Sequence, residues 1–336
     1  NPYMTAAEEW SCKPPVAKHP ALGMVADCPG GGKTTALLCL AYVMLIVCPW
    51  NSQAQEIAHK IRNEGERIKA LYLRYVAAGL PPVLALEAVK RDPFFYLACY
   101  GKVTTVHNLL KMNVNCEFSK AEPYDISGVQ LIIFDEILLN NAAILRKINR
   151  YMKKHPKIKF ACTRDGDQLE SIHDGAALNN VRVSYDDYIE KMVQAMFPAQ
   201  FLLRVNKRLK DPAERAKLMS LKHDILRTKM SIEDICAKYG IKTIRSLKQL
   251  QTTQNIAYFN FRAKQINDYL IQKRPELITR PRLAKRTPDG LFWVGMNVIC
   301  KKHAMFNRRR LFVNYTYRIT AIKNTSITVV DDFNTE

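Results

Sequence analysis

The chain has 336 residues, is 48% hydrophobic and carries a formal charge of +20. Its length predicts two compact domains, each with its own core, and its excess of cations points to a polyanionic partner, nucleic acid above all, rather than to a merely solvated lysine-rich surface. Nine cysteines without a C-x-x-C pair or zinc-type spacing exclude a disulfide frame and a metal cluster, and read as reduced thiols of an intracellular protein.

In chain order, Ala21 to Ala26 predicts a short buried strand and Thr35 to Ala41 the opening of a helix. Between them, Asp27-Cys28-Pro29-Gly30-Gly31-Gly32-Lys33-Thr34-Thr35 has the strand, loop and helix setting of a phosphate-binding turn. Glycines let backbone N–H groups converge on phosphate oxygens, and the helix N-terminus adds its positive end. Pro29, Gly30, Gly31, Gly32, Lys33, Thr34 and Thr35 are therefore the candidate ATP-binding residues. Lys33 suits the terminal phosphates and Thr34 suits Mg²⁺. The plainer alternative is a glycine-rich surface turn that contains a lysine. The full pattern G-x-x-x-x-G-K-[ST] asks for glycine where Asp27 stands. Pointed at a phosphate ~5–6 Å away, its charge costs on the order of 3 kcal/mol at an effective dielectric of about 20.

The apolar run from Ala36 to Val47 is too short for a bilayer span, and no signal peptide precedes it. A helix from Lys33 and a strand through Met44 to Val47 leave almost no turn between them. Either that helix is very short or residues have been lost. Asn1 at the start and a strand-like run before Glu336 at the end read as a fragment.

Val129 to Phe134 predicts a strand that delivers Asp135-Glu136 at its carboxyl end. In a parallel sheet that end faces the same crevice as the phosphate loop. Asp135 is the candidate Mg²⁺ carboxylate and Glu136 the residue that orients the attacking water, against the reading of a solvated acidic cap. A further strand over Ile158 to Cys162 runs into the polar loop Thr163 to Ile172, in which Gln168 is placed to sense a γ-phosphate.

The order of these segments resembles that of superfamily 1 DNA helicases, particularly the RecD-like branch. Asp27 to Thr35 resembles motif I, Ile46 to Ala54 motif Ia, Thr104 to Leu110 the T-x-H segment, Asp135-Glu136 motif II, Arg164 to Leu169 motif III, and Leu203 to Arg208 motif IV. The resemblance implies an α/β P-loop NTPase with a RecA-like parallel-sheet domain over 1–200. It implies the start of a second, incomplete RecA-like domain over 201–285 and a small SH3-like β module over 286–336. It assigns catalysis to Lys33, Asp135, Glu136, Gln168 as phosphate sensor with Asp165 as its acidic partner, and Arg208 as arginine finger; it assigns the nucleic-acid track to Pro49, Asn51, Thr105 and His107.

Later segments fit the same plan. Lys210 to Arg215 begins a helical tract, and Ser231-Ile232-Glu233-Asp234 looks like a capping box. Residues 230–250 also fit a helix-turn-helix outline. Gln251 to Asn260 resembles a strand and turn leading to a helix through Ile266 and Asn267. From Phe292 onward, short strands separated by polar turns suggest a small barrel. Between Thr279 and Lys323 eleven lysines or arginines face the single acid Asp289, a balance suited to tracking phosphates while aromatics stack on bases or fill the barrel core.

The implied function is an ATP-dependent, Mg²⁺-requiring helicase or translocase on single-stranded DNA, intracellular and without a membrane, with replication or repair proteins as partners. Departures from the family pattern are Asp27 and Arg164 in place of glycine, Leu138 in place of a small hydroxyl residue, Trp50 in place of threonine, and the absence of the last two family segments. They predict a truncated or divergent copy, of viral or mobile-element origin. Two other classes stay open: a degenerate relative that binds nucleic acid without unwinding it, and a P-loop ATPase motor that is not a helicase.

Overall fold

The computed structural model describes residues 21–26, 31–112, 124–165, 185–203, 209–242, 246–249, 260–273, 284–287, 290–300, 304–306, 309–311, 316–323 and 326–331. The chain divides into two units, Asn1–Lys210 and Asp211–Glu336.

In the first unit the elements run β1 Ala21–Ala26, α1 Lys33–Leu38, β2 Met44–Cys48, α2 Asn51–Ala77, α3 Pro82–Lys90, α4 Phe95–Tyr100, β3 Lys102–Thr105, α5 Val106–Leu109, β4 Leu131–Phe134, α6 Ala142–Lys154, β5 Lys159–Arg164, α7 Tyr185–Met196 and β6 Ala199–Leu203. The six strands form one sheet in the order β3-β2-β4-β5-β1-β6, and every pairing is parallel. All six carboxyl ends therefore lie on one edge. Strand β6 belongs to this sheet, so the first unit extends past residue 200 to Lys210.

Strands β2 and β4 are buried along their whole length, as expected for central strands covered by helices on both faces. Side chains alternate between the faces. Leu45, Val47, Ile132, Phe134, Phe160 and Cys162 pack with α5, α6 and α7, and the Phe134 and Phe160 rings stack at 6.4 Å. Met44, Ile46, Cys48, Leu131, Ile133 and Ala161 pack on the other face with α1, the start of α2 and Leu97 of α4.

The crowding foreseen between Lys33 and Met44 is resolved by brevity. Helix α1 has six residues and ends at Leu38, and backbone bonds from Leu40 to Leu37 and from Tyr42 to Leu40 turn the chain into β2. Helix α6 shows sequence-encoded ends: the Asn141 side chain accepts from Ile144 N at 3.0 Å, and Lys153 and Lys154 sit against the negative end of the helix dipole. Among the described residues no helix is long and apolar enough to cross a membrane.

The second unit begins with α8 Pro212–Arg227, capped by Asp211 as it accepts from Ala213 N at 2.9 Å, and α9 Ile232–Tyr239. Ser231 caps α9, accepting from Asp234 N and donating to the Asp234 carboxylate, which realises the predicted cap. Gly240 ends that helix at φ 64, in the left-handed region that glycine enters without a Cβ clash. Only a 3-10 turn, Leu247–Gln249, follows among the described residues up to 250, so they do not build the second helix of a helix-turn-helix. The strand expected at 251–259 lies outside the described residues, and α10 Asn260–Gln272 is the helix foreseen after it.

Strands β7 Ala284–Thr287 and β8 Gly290–Trp293 form a hairpin, as do β10 Ala304–Phe306 and β11 Arg309–Leu311. Strands β9 Asn297–Ile299, β12 Thr316–Ile322 and β13 Ile327–Asp331 form a three-stranded antiparallel sheet with β12 in the middle. Tyr317 and Ile319 are its buried side chains, so the β texture read from Phe292 onward is present.

Helices α8 and α9 are clamped by one buried carboxylate. Asp224 accepts from Lys238 Nζ and from Tyr239 Oη, each at 2.7 Å. The Lys238 hydrogen bond, then that of Tyr239, holds its carboxyl below the usual carboxylate range. An aspartate whose pKa is lower folded than unfolded contributes stability that is present above its unfolded pKa, about 3.9, and lost as pH falls through the folded value. Asp224→Asn is therefore expected to lower the urea midpoint at neutral pH, with the gap to the parent closing below about pH 3.9; a gap that persists at low pH would contradict the clamp.

Candidate functional site

The carboxyl ends of β4, β5 and β1, three adjacent strands, bring the phosphate loop and the acidic pair together. Gly32 stands at φ 85, a conformation open to glycine, and its carbonyl accepts the first helical bond of α1, from Ala36 N at 2.9 Å. Lys33 and Thr34 thus fall on the opening turn of α1. Gly31 is buried and Thr35 is exposed. Pro29, Gly30 and Asp27 lie outside the described residues.

Asp135 is 3% exposed and accepts three side-chain hydrogen bonds. Thr34 Oγ1 and Thr163 Oγ1 donate to Oδ1 at 2.7 and 2.6 Å, and Gln53 Nε2 donates to Oδ2 at 2.7 Å. Each donor comes from a different element: α1, β5 and α2. Glu136 follows at φ 48, a left-handed conformation that non-glycine residues adopt rarely and that recurs at functional sites. Its backbone N–H donates to Thr163 Oγ1 at 2.8 Å, so one hydroxyl holds both acids of the pair. The acids also act on Cys48, at the end of β2. Burial first, then the charges of Asp135 and Glu136, push its thiol upward, so it stays protonated.

Lys33 is 8% exposed and its ammonium donates to Asp165 Oδ2 at 2.9 Å. Asp165 follows β5 directly, and its side chain is fully buried. The pleat explains the division of labour along that strand. Thr163 and Asp165 reach Asp135 and Lys33, whereas Arg164 between them turns to the opposite face. There Arg164 Nη2 donates to Gln200 Oε1 at 2.9 Å, and Nη1 stands 3.5 Å from Glu190 Oε1, an ion-pair contact without a hydrogen bond. Arg164 thus braces β6 and α7, away from Lys33 and Asp135.

The donor set suits a magnesium nucleotide. Thr34 Oγ1 and Asp135 Oδ1 are hard oxygen donors side by side, and Mg²⁺ uses one or two such groups while keeping several waters. No group of three or more His, Cys, Asp or Glu among the described residues could hold a metal by itself. A further polar atom at this place, Gln53 Oε1, is buried and has no hydrogen-bond partner among the described residues. Gln53 falls within the segment that resembles motif Ia but carries no assigned role there, and Thr163 stands one residue before the segment that resembles motif III; no local signal marks either as a partner of Asp135.

Pairing of β2 with β3 brings the other predicted segment together, with Cys48 opposite Thr105. Pro49 is buried, while Trp50, 45% exposed, precedes Asn51 at the start of α2. Thr105 Oγ1 caps α5 by accepting from Asn108 N, and Asn108 Nδ2 donates to Thr104 Oγ1 at 2.8 Å. His107 lies on α5; burial and then nearby Lys147 lower its pKa, so at neutral pH it is an uncharged imidazole. Gln168 and Arg208 lie outside the described residues.

No protein-family profile and no curated protein matches the chain in sequence. Its likeness is to solved structures. Pif1 from Bacteroides bound to single-stranded DNA superposes with a TM-score of 0.54 over 98% of this chain and 71% of that one, at 13% identity. A Pif1 helicase from a study of unwinding at forked duplex DNA gives 0.53, over 98% and 73%, at 14% identity. At that identity the likeness speaks for the fold: the chain has the α/β, RecA-like P-loop fold of those helicase structures.

Proposed function

We propose that the chain is an ATP-dependent translocase of the superfamily 1 helicase type, acting on single-stranded DNA. The observation that carries this reading is the convergence of Lys33, Thr34, Asp135 and Glu136 on one sheet edge through the neighbouring strands β1, β5 and β4. The fold likeness to Pif1 helicases supports it. The narrower placing in the RecD-like branch rests on motif order alone.

In this reading Lys33 exchanges the Asp165 carboxylate for terminal phosphate oxygens. Thr34 and Asp135 hold Mg²⁺, which when bound neutralises charge on the phosphates. Glu136, fixed through its own N–H by Thr163, orients the water that attacks. Gln168 and Arg208 are assigned to phosphate sensing and to the incoming finger. Asn51, Thr105 and His107 form the strand track with exposed Trp50 as a stacking surface, and buried Pro49 shapes its floor. The stretch 201–285 is read as the start of a second RecA-like lobe and 286–336 as an SH3-like module. An intracellular role with replication or repair proteins follows from the same reading.

One observation favours a second reading, a relative that binds nucleic acid without unwinding it. Lys33 is already neutralised by Asp165, and Asp27 adds an acid to the phosphate loop. ATP turnover with and without single-stranded DNA, together with strand displacement on a forked duplex, separates the two. The helicase reading expects DNA to stimulate hydrolysis and Lys33→Ala to lower it by about a hundredfold or more. Turnover indifferent to both DNA and Lys33 would reject it.

The Lys33–Asp165 pair yields a second prediction. Removing one partner of a buried pair leaves the other charge uncompensated, so Asp165→Asn is expected to destabilise the nucleotide-free protein by about 3–5 kcal/mol. Nucleotide should then raise its melting temperature by more than it raises that of the parent. An equal rise in both proteins would show that phosphate and Asp165 do not share Lys33.

Thr163→Val removes the hydroxyl that serves Asp135 and Glu136 at once. The expected loss is about 1–3 kcal/mol in unfolding free energy, and a fall in ATP turnover beyond what the unfolded fraction accounts for. Turnover that tracks the folded fraction would make Thr163 a packing residue only.

A further inference from the structure

Gln53 lies on the first turn of α2, within the segment that resembles motif Ia, yet its amide reaches the acidic pair rather than the strand track. Nε2 donates to Asp135 Oδ2 at 2.7 Å. The orientation is dictated by chemistry, because the reversed amide would set a carbonyl against a carboxylate that only accepts. Oε1 is thereby turned into a buried position where no described residue donates to it. An unpaired buried acceptor is costly, and such groups in folded proteins mark a missing water, ion or ligand.

What could donate there follows from the neighbours. The Thr34 and Thr163 hydroxyls are both spent on Asp135 Oδ1, and Lys33 is engaged by Asp165. Among the described residues no donor reaches Oε1, and a ligand is one source that could supply it. Water molecules held by Mg²⁺ are strongly polarised donors, and this ion keeps several of them when one carboxylate and one hydroxyl are its protein ligands.

We infer that Gln53 is a positioning residue of the magnesium site: Nε2 fixes the Asp135 carboxylate, and Oε1 accepts a hydrogen bond from a water of the bound ion. The inference rests on the nucleotide reading above. Groups that orient a metal's carboxylate or its waters contribute substantially to metal affinity, and their loss weakens it 10–100-fold.

The test is a Mg²⁺ titration of the full chain, read as binding of a fluorescent ATP analogue, with a parallel measurement in EDTA and melting curves without nucleotide. Gln53→Met keeps length and removes both polar atoms; the expected result is a Mg²⁺ midpoint raised about tenfold or more, with affinity in EDTA unchanged. Gln53→Glu sets a second carboxylate beside Asp135. It is expected to melt lower than the parent without the ion and to show a larger Mg²⁺-induced rise in melting temperature. A merely structural role lowers stability in both variants and moves neither response. Midpoints within about twofold of the parent in both would overturn the inference, and if Gln53→Met does not fold, the Mg²⁺ response of Gln53→Glu decides alone. Lys33→Ala separates the two levels: if it binds nucleotide as the parent does, the nucleotide reading fails and this inference falls with it. If Lys33→Ala weakens binding while both Gln53 variants respond as the parent, the assignment of Gln53 alone is lost.

Discussion

Asp135 is a carboxylate buried to 3% exposure, and burying an acceptor of that strength is tolerable only when donors surround it. Three donors do so, and they come from three parts of the chain: Thr34 at the start of α1, Gln53 at the start of α2 and Thr163 near the end of β5. Each bond therefore fixes the position of one element against β4. The parallel order β4-β5-β1 makes this possible, because parallel neighbours end on the same edge and their loops must meet. Had any of these strands run antiparallel, its loop would lie at the far end of the sheet and Asp135 would lose a partner.

The same pleat that builds the site also isolates it from a substitution that looks damaging in the sequence. Arg164 sits between two residues of the site, so its side chain could have filled the phosphate loop. Alternation along β5 sends it to the other face, where Gln200 and Glu190 receive it. A guanidinium at 5% exposure is costly to hold, and one of its nitrogens has only a 3.5 Å ionic contact. The charge is thus kept near α7 at some expense, and the expense does not fall on Lys33 or Asp135.

What the sequence made legible was local. The apolar runs of β2 and β4, Gly32 before Lys33, the acids after Phe134 and the cap at Ser231 each declare themselves within a few residues, and each is found in the structure. What stayed hidden depends on contacts across the chain. Gln53 and Asp135 are 82 positions apart, and Lys33 and Asp165 are 132 apart. No periodicity or spacing reports such a meeting. The boundary near 200 was hidden for a related reason: β6 joins β1, a strand at the other end of the unit, so nothing beside residue 200 marks it as part of the first sheet. Over 230–250 the sequence outline alone does not discriminate: α9 carries a cap and a buried face, while the stretch after Gly240 yields only a 3-10 turn among its described residues.

The pairing of Lys33 with Asp165 commits the one cation of the phosphate loop's helix start to a carboxylate. The ammonium is neutralised at 2.9 Å in a buried setting, which offsets the cost of taking it out of water. On the nucleotide reading proposed above, a phosphate would have to outcompete the Asp165 carboxylate for that ammonium. Asp165 follows directly on β5, two residues beyond the Thr163 that holds Asp135 and Glu136. Asp165 and Thr163 thus tie Lys33, Asp135 and Glu136 to the end of one strand, so the basic and the acidic halves of the site share a single support.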